Sequence, residues 1–382
     1  MLLDIRPDQA PPAVLYDPPL PHGGRFAKRL AHLVAWQKPG RMRAALAAAA
    51  CFGVVAFVLG AGNRLTRGPW FLYPPEVSLI PPFGADAWKH AFILHQQSPI
   101  YALCGGYGAG GMESIAIYKF LYWWEWTRIA SIVMFAAALF VAVLFFLFGT
   151  AKAQHRSSPW PLTGLVAAAV VYVVLRYFAD HAGLFATINI GQHRHALDIT
   201  FASVGLAMLI VTVLARERTL AGSVLPRFAW AAVIALDIAF GALFEAMDAA
   251  PLWLSFPGYA DALLPAPDRL FAFHPVWRNF TENGYLIQAC HRVLSMGLWA
   301  AALLAVVTAL LRGRALTGAL VLFGLLTLEG ALGIATLQPG EPVALSILHQ
   351  VCAIAVLVAA LAPPGPRRLD AVASRQLALH EA

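Results

Sequence analysis

The sequence predicts an all-α integral membrane protein, with about eight transmembrane helices arranged as two pseudo-symmetric four-helix bundles. Three observations carry this. The 382 residues are 60% hydrophobic and only 12% charged, far less charge than an ordinary soluble domain has. The apolar residues come in runs long enough to cross a bilayer. The chain also divides near Arg218 into halves with the same order of parts. A transporter built on repeats would share that last feature, but such folds break helices near the midplane, and here the polar pairs lie toward one face.

In order, the apolar runs are Ala44–Leu59, Phe120–Phe148, Leu162–Phe178, Ala196–Leu214, Phe228–Met247, Leu286–Leu311, Ala315–Thr336 and Val343–Leu361. Basic residues gather in alternate connections. Arg25, Lys28, Arg29, Lys38, Arg41 and Arg43 precede the first run, and Lys152 and Arg156 follow the second. Arg216, Arg218 and Arg227 follow the fourth, Arg312 and Arg314 the sixth, Arg367 and Arg368 the eighth. The positive-inside rule then places both termini in the cytoplasm. The net charge of +7 is a topology signal that calls for no nucleic acid. No cleavable signal peptide is expected, because about forty polar and Pro-rich residues come before the first run.

The expected organisation is a cytoplasmic tail over 1–43, a front bundle over 44–218, a back bundle over 219–362 and a second cytoplasmic tail over 363–382. Two long outer loops, roughly 60–118 and 248–283, are rich in Pro, Gly and aromatics and read as ordered caps. Of Cys51, Cys104, Cys290 and Cys352 only one lies clearly in an outer loop, so no loop disulfide is expected.

Two histidines stand out: His291 in Gln288-Ala-Cys-His291-Arg292, and His349 in Leu348-His349-Gln350. A histidine inside a membrane helix is rare and expensive, and imidazole is a strong iron ligand. Two of them on facing helices, at equal depth, can clamp a heme from both faces. The alternative is two unrelated imidazoles that bond backbone or line a polar cavity. Zinc is disfavoured because no further Cys or carboxylate cluster converges on the pair in the sequence. The repeat aligns Glu125-Trp-Thr-Arg128 with Gln288-Ala-Cys-His291, and Leu197-Asp198 with Leu348-His349.

These segments resemble the heme A synthase family. Phe280-Thr-Glu-Asn283, Gln288-Ala-Cys-His291-Arg292, Leu332-Gly-Ile-Ala-Thr-Leu337 and Leu348-His349-Gln350-Val-Cys-Ala353 look like its back-half motifs. Gly62-Asn-Arg64-Leu-Thr66, Pro81-Pro82 with Trp88, Ser98-Pro99-Ile-Tyr101 and Tyr118-Lys-Phe-Leu-Tyr-Trp-Trp-Glu125-Trp126 resemble its front half. The similarity covers most of residues 40–362. It implies an enzyme of the bacterial cytoplasmic membrane that oxidises the C8 methyl of heme O to a formyl group, giving heme A. It also implies a heme b between His291 and His349, with the substrate heme between two front-bundle histidines. Glu125 matches the glutamate proposed to act in catalysis, and an acid or base in an apolar pocket suits proton transfer. The partners implied are the lipid bilayer, a heme O-supplying farnesyltransferase, cytochrome oxidase assembly factors and an electron donor that the sequence does not name.

The front half departs from the family pattern. Where the family has Glu-x-x-His-Arg, this chain reads Glu125-Trp-Thr-Arg128-Ile129. Shifting the register by one puts Thr127 at the histidine, and the ligand is lost either way. The fourth helix reads Arg194-His-Ala-Leu-Asp198 in place of Arg-x-x-x-His, with His193 and His195 out of register. Opposite charges facing each other can neutralise, so a salt bridge between Arg128 and Asp198 is expected where a heme iron would sit. The alternative is that each reaches outer water by itself. Substrate would then bind through its propionates, or through His193 or His195.

Arg278 and Arg292 are candidates for heme propionates, against a role as interfacial anchors. Arg176, Asp237, Glu245 and Glu329 sit in or near spans, where snorkelling or interhelical pairing explains most such residues. Glu329 is the best of them for something more, being deep in the seventh span. Trp123, Trp124, Trp126 and Trp277 fit an outer aromatic belt or a heme pocket. The function expected is a heme A synthase-type oxidoreductase. Its rival is a non-catalytic heme b-binding homologue, acting as an electron-transfer or assembly subunit of a respiratory complex.

Overall fold

The computed structural model describes residues 39–65, 77–78, 80–97, 114–147, 174, 191–214, 225–247, 253–259, 265–312, 316–338, 340 and 342–362. Ten α-helices lie among them: α1 (Pro39–Leu65), α2 (Ala85–Gln96), α3 (Ile115–Leu147), α4 (Gly191–Leu214), α5 (Leu225–Ala246), α6 (Pro267–Leu270), α7 (Asn279–Glu282), α8 (Gly284–Arg312), α9 (Leu316–Ala335) and α10 (Val343–Leu361). Seven of these, α1, α3, α4, α5, α8, α9 and α10, are long and apolar enough to cross a membrane. They coincide with seven of the expected runs. The eighth, Leu162–Phe178 with Arg176, lies outside the described residues apart from helical position 174, as do residues 1–38 of the first tail, the whole second tail, Cys104 and the Ser98–Tyr101 segment. Residues 39–43, expected in the first tail, open α1. No strand occurs among the described residues. The chain is therefore an all-α integral membrane protein.

In α5, α8, α9 and α10 each helix packs on two neighbours of the same half, α5 on α8, α8 on α9, α9 on α10 and α10 on α5, which closes a four-helix ring. A ring of this kind encloses a central space lined by one face of each helix. In the front half α1 packs along α3 and also against α4. The two halves are not separate bodies. α4 packs on α5 and α10, and α1 touches α10. One apolar core runs through both, from Phe57, Ile199 and Leu206 to Ile234, Ile287, Ile354 and Leu357.

The side of the bundle that bears the long loops, here the cap side, is ordered by residues at helix ends. α3 has 33 residues and is about 50 Å long, well beyond the ~30 Å of a hydrocarbon core. It is therefore long enough to extend past the hydrocarbon core. In its first turns Tyr118 and Tyr122, one turn apart, receive Trp88 of α2 with ring centres 6.2 and 5.0 Å away. In the back cap the side chain of Asn283 donates to the carbonyls of Arg269 and Leu270, and Asn279 to those of Phe273 and Val276. These amides satisfy loop carbonyls that would otherwise be buried without partners.

Candidate functional site

His291 and His349 meet inside the back ring. Each lies about two turns from the cap-side end of its helix, α8 or α10. Their ring centres are 6.4 Å apart and the ring planes cross at 72°. Two imidazoles sharing one metal, each bonded at about 2 Å, would have centres roughly 6 Å apart. The spacing is that of a pair with one atom between them.

Each ring is approached at Nδ1 by a carboxylate from the preceding membrane helix. His291 Nδ1 is 2.8 Å from Asp237 Oδ1 of α5, and 3.1 Å from the Asp237 main-chain oxygen. His349 Nδ1 is 3.1 Å from Glu329 Oε1 of α9. The carboxylate approaches are oblique: the distances are those of hydrogen bonds but the angles are not. His291 Nδ1 is engaged by the Asp237 main-chain oxygen and His349 Nδ1 faces the Glu329 carboxylate, which leaves Nε2 of each ring to bind a metal. Asp237 is held in turn by Ser295, whose Oγ donates to Oδ2 at 2.8 Å.

Glycine makes room for both rings. A Cβ at Gly241 would stand 3.1 Å from His291 Cε1, and one at Gly333 would stand 3.1 Å from His349 Cε1. Each imidazole thus rests edge-on against a bare helix backbone. The imidazoles keep 23% and 24% of their side-chain surface accessible, so they face a space rather than solid core. The residues fit a heme ligated by two histidines. Among the described residues no group of three or more His, Cys, Asp or Glu is placed to hold a bare metal ion.

The front-half position is built differently. Glu125 is buried, and its carboxylate is bound from two sides. Asn63 Nδ2 of α1 donates to Oε2 at 2.9 Å, and Arg128 Nε donates to the same oxygen at 2.8 Å. Arg128 Nη2 donates to Oε1 as well, which completes a two-pronged contact one turn along α3. This corrects two expectations. Arg128 forms its ion pair with Glu125 of its own helix, and among the described residues no ion pair joins it to Asp198. The reason is proximity, since residues three apart on a helix are neighbours while Asp198 is on another helix. The surroundings of Glu125 are also polar where an apolar pocket was expected. Thr127, the alternative in the shifted register, donates to the Trp123 carbonyl at 2.7 Å.

A second polar cluster joins the halves. Arg64 Nη2 of α1 donates to Gln350 Oε1 at 3.0 Å, and Gln350 Nε2 donates to Glu245 Oε2 of α5 at 2.9 Å. Arg64 Nε and His195 Nε2 stand 3.9 and 3.4 Å from Glu245 Oε1. His195 therefore faces the back half. Gln350 follows His349 directly, so the cluster is contiguous with the histidine pair.

Arg292 is only 6% exposed and its guanidinium is taken up by the back cap. It donates to the carbonyls of Ser255 and Gly258 through Nη1 and of Trp253 through Nη2, at 2.8, 3.0 and 2.8 Å. It also lies 4.8 Å over the Tyr259 ring. Arg278 pairs with Glu282 one turn on. In this structure Arg292 anchors the back cap, while the Arg278 pair is local and partly exposed.

Sequence reasoning named Glu329 but left Asp237 and Glu245 among ordinary interhelical pairs. It did not single out Asn63, Gln350 or Ser295. The usable signal was depth: Asp237 lies mid-helix, two turns farther from the cap side than Glu245, where snorkelling cannot reach water.

Fold and site define a class, a polytopic helical membrane protein with a paired-histidine site in one of two helical halves. The chain belongs to the cytochrome oxidase assembly protein family, whose sequence profile matches residues 44–361. Among its relatives, a heme A synthase of Rhodopseudomonas palustris (strain BisA53) is 31% identical over 317 residues, 80% of this chain and 85% of the relative. A heme A synthase of Azorhizobium caulinodans is 30% identical over 342 residues, 86% and 94% of the two chains.

Proposed function

We propose that this chain is a membrane oxidoreductase of heme A biosynthesis that acts on the C8 methyl of heme O, with a heme b held between His291 and His349. The observation that carries the reading is the histidine pair, 6.4 Å apart and each backed by its own carboxylate. The relatives named heme A synthase supply the reaction class. A heme bound there supplies one-electron transfer.

The chain's own residues do the remaining work. The back ring excludes water and holds the two imidazoles at a fixed spacing. In the front half Glu125 is the proton acceptor, and Arg128 is its partner until substrate arrives. A propionate of the substrate competes for the Arg128 guanidinium, because such pairs are charge-assisted and two-pronged. Glu125 is then free to take a proton near the reacting carbon. The alternating basic connections support a topology with both termini on the cytoplasmic side.

One observation favours a second reading, in which the chain binds heme b and is not catalytic: Arg128 covers Glu125 where a ligand would be. The test is expression in a host that makes heme O but has no heme A synthase, followed by chromatography of the extracted hemes. Heme A that disappears with Glu125→Ala supports the enzyme. Heme b alone, from folded protein supplied with an electron donor and lost with His291→Ala or His349→Ala, supports the second reading.

A further inference from the structure

The back ring uses the same device twice. α5 brings Asp237 to Nδ1 of His291 on α8, and α9 brings Glu329 to Nδ1 of His349 on α10. The two carboxylates come from different helices and have different lengths, yet each reaches the same atom of its histidine. A carboxylate inside a membrane-spanning helix is costly, so two of them converging on one pair of rings calls for a role.

We propose that Asp237 and Glu329 are positioning residues that set the electronic character of the histidine pair, and so the ferric/ferrous potential of an iron held between His291 and His349. The proposal rests on the heme b reading above. A carboxylate at Nδ1 holds the proton on that nitrogen and leaves the Nε2 lone pair for the metal. It also pushes electron density into the ring, which makes Nε2 a stronger donor. Two such anions favour the ferric state and lower the potential.

The two supports are unequal. Asp237 is fixed by Ser295 Oγ, and its main-chain oxygen lies 3.1 Å from the same Nδ1. Glu329 reaches His349 through its carboxylate alone, on a longer side chain. His291 is thus the ligand with the firmer backing, and Ser295→Ala should shift the heme in the direction of Asp237→Asn but by less.

The test uses the full chain in detergent or nanodiscs, with Asp237→Asn, Glu329→Gln and Ser295→Ala. Heme content comes from the pyridine hemochrome spectrum, the midpoint potential from a redox titration, and the ligand field from low-spin ferric EPR. The expected result is heme affinity lowered by about 10–100-fold with the site still filled at excess heme, a potential raised in both amide variants and more so in the double variant, and altered EPR g values. If one amide variant does not fold, the other decides alone, since the two carboxylates lie on different helices. Wild-type potential and g values in heme-loaded variants would overturn the proposal while leaving the heme b reading intact. Wild-type protein that takes up no heme would overturn the reading itself.

Discussion

Arg128 lies one turn beyond Glu125 on α3 and grips its carboxylate with two nitrogens, so that the acid is held by a cation of its own helix.

Restoring the family pattern should release it. Arg128→His with Asp198→His is expected to bind a second equivalent of heme, and Arg128→His alone should not. The measurement is heme per chain by hemochrome spectrum against protein by amino-acid analysis. An unchanged ratio in a folded double variant would show that more of the front half has diverged than these two positions.

The glycines behind the histidines allow a test of site geometry by itself. Gly333→Ala or Gly241→Ala would put a methyl 3.1 Å from the Cε1 of an imidazole. Overpacking of this kind costs about 1–3 kcal/mol, or roughly tenfold or more in an equilibrium. Heme retention should fall by that factor in a competition with apomyoglobin, with no comparable loss for Gly324→Ala, where nothing lies within 4 Å of the new Cβ.

The cluster between the halves should behave as a coupled unit. Glu245→Ala leaves Arg64 and His195 without their shared anion, at an expected cost of about 3–5 kcal/mol. Replacing both, Arg64→Met with Glu245→Met, should recover most of that, because an apolar pair of similar volume carries no desolvation penalty. Unfolding in detergent, followed by circular dichroism, gives the comparison. Equal losses in the single and double variants would show that the pair does not act together.

The two cap arginines should separate sharply. Arg292→Ala removes three hydrogen bonds to the back cap, although Gln288 still donates to the Trp253 carbonyl and Ser255 Oγ to that of Gly258. Hydrogen bonds from a charged donor are worth about 1.5–3 kcal/mol each. Limited proteolysis between 253 and 283 should accelerate, and Arg292→Lys should not restore protection, for want of a planar fork. Arg278→Ala should be close to silent. The hydrogen bond from Arg278 holds the Glu282 carboxyl below the usual carboxylate range. Whatever that pair contributes is therefore present at neutral pH and is lost only as the pH falls through the lowered value. Fast cleavage in Arg278→Ala at pH 7 would contradict this.

The seven described spans were legible in the sequence because burial in lipid imposes length and apolarity locally, residue by residue. The histidine pair was legible for the same reason: an imidazole in an apolar run has no local excuse. Glu329 was conspicuous in the same way. What escaped was the choice of partners. Arg128 had two acids to choose from, and helical spacing made Glu125 the nearer, whereas the repeat suggested Asp198. For Arg292 the sequence leaves a propionate contact and an anchoring role both open, because nothing in the chain order says that the 253–258 backbone folds over it. His195, taken as a spare front-half ligand, faces Glu245 across the joint between the halves.

The sequence by itself determined that the chain crosses the membrane as helices, and that two of those helices carry an imidazole at matching depth. Both follow from the cost of leaving polar groups in hydrocarbon, which each segment must meet alone. Only the tertiary structure decided which carboxylate serves which cation, that Asp237 and Glu329 stand behind the histidines, and that both halves share one core. Those outcomes depend on how helices distant in the chain rotate and pack against each other, and in a low-dielectric interior a shift of a few ångströms settles which charge finds its partner.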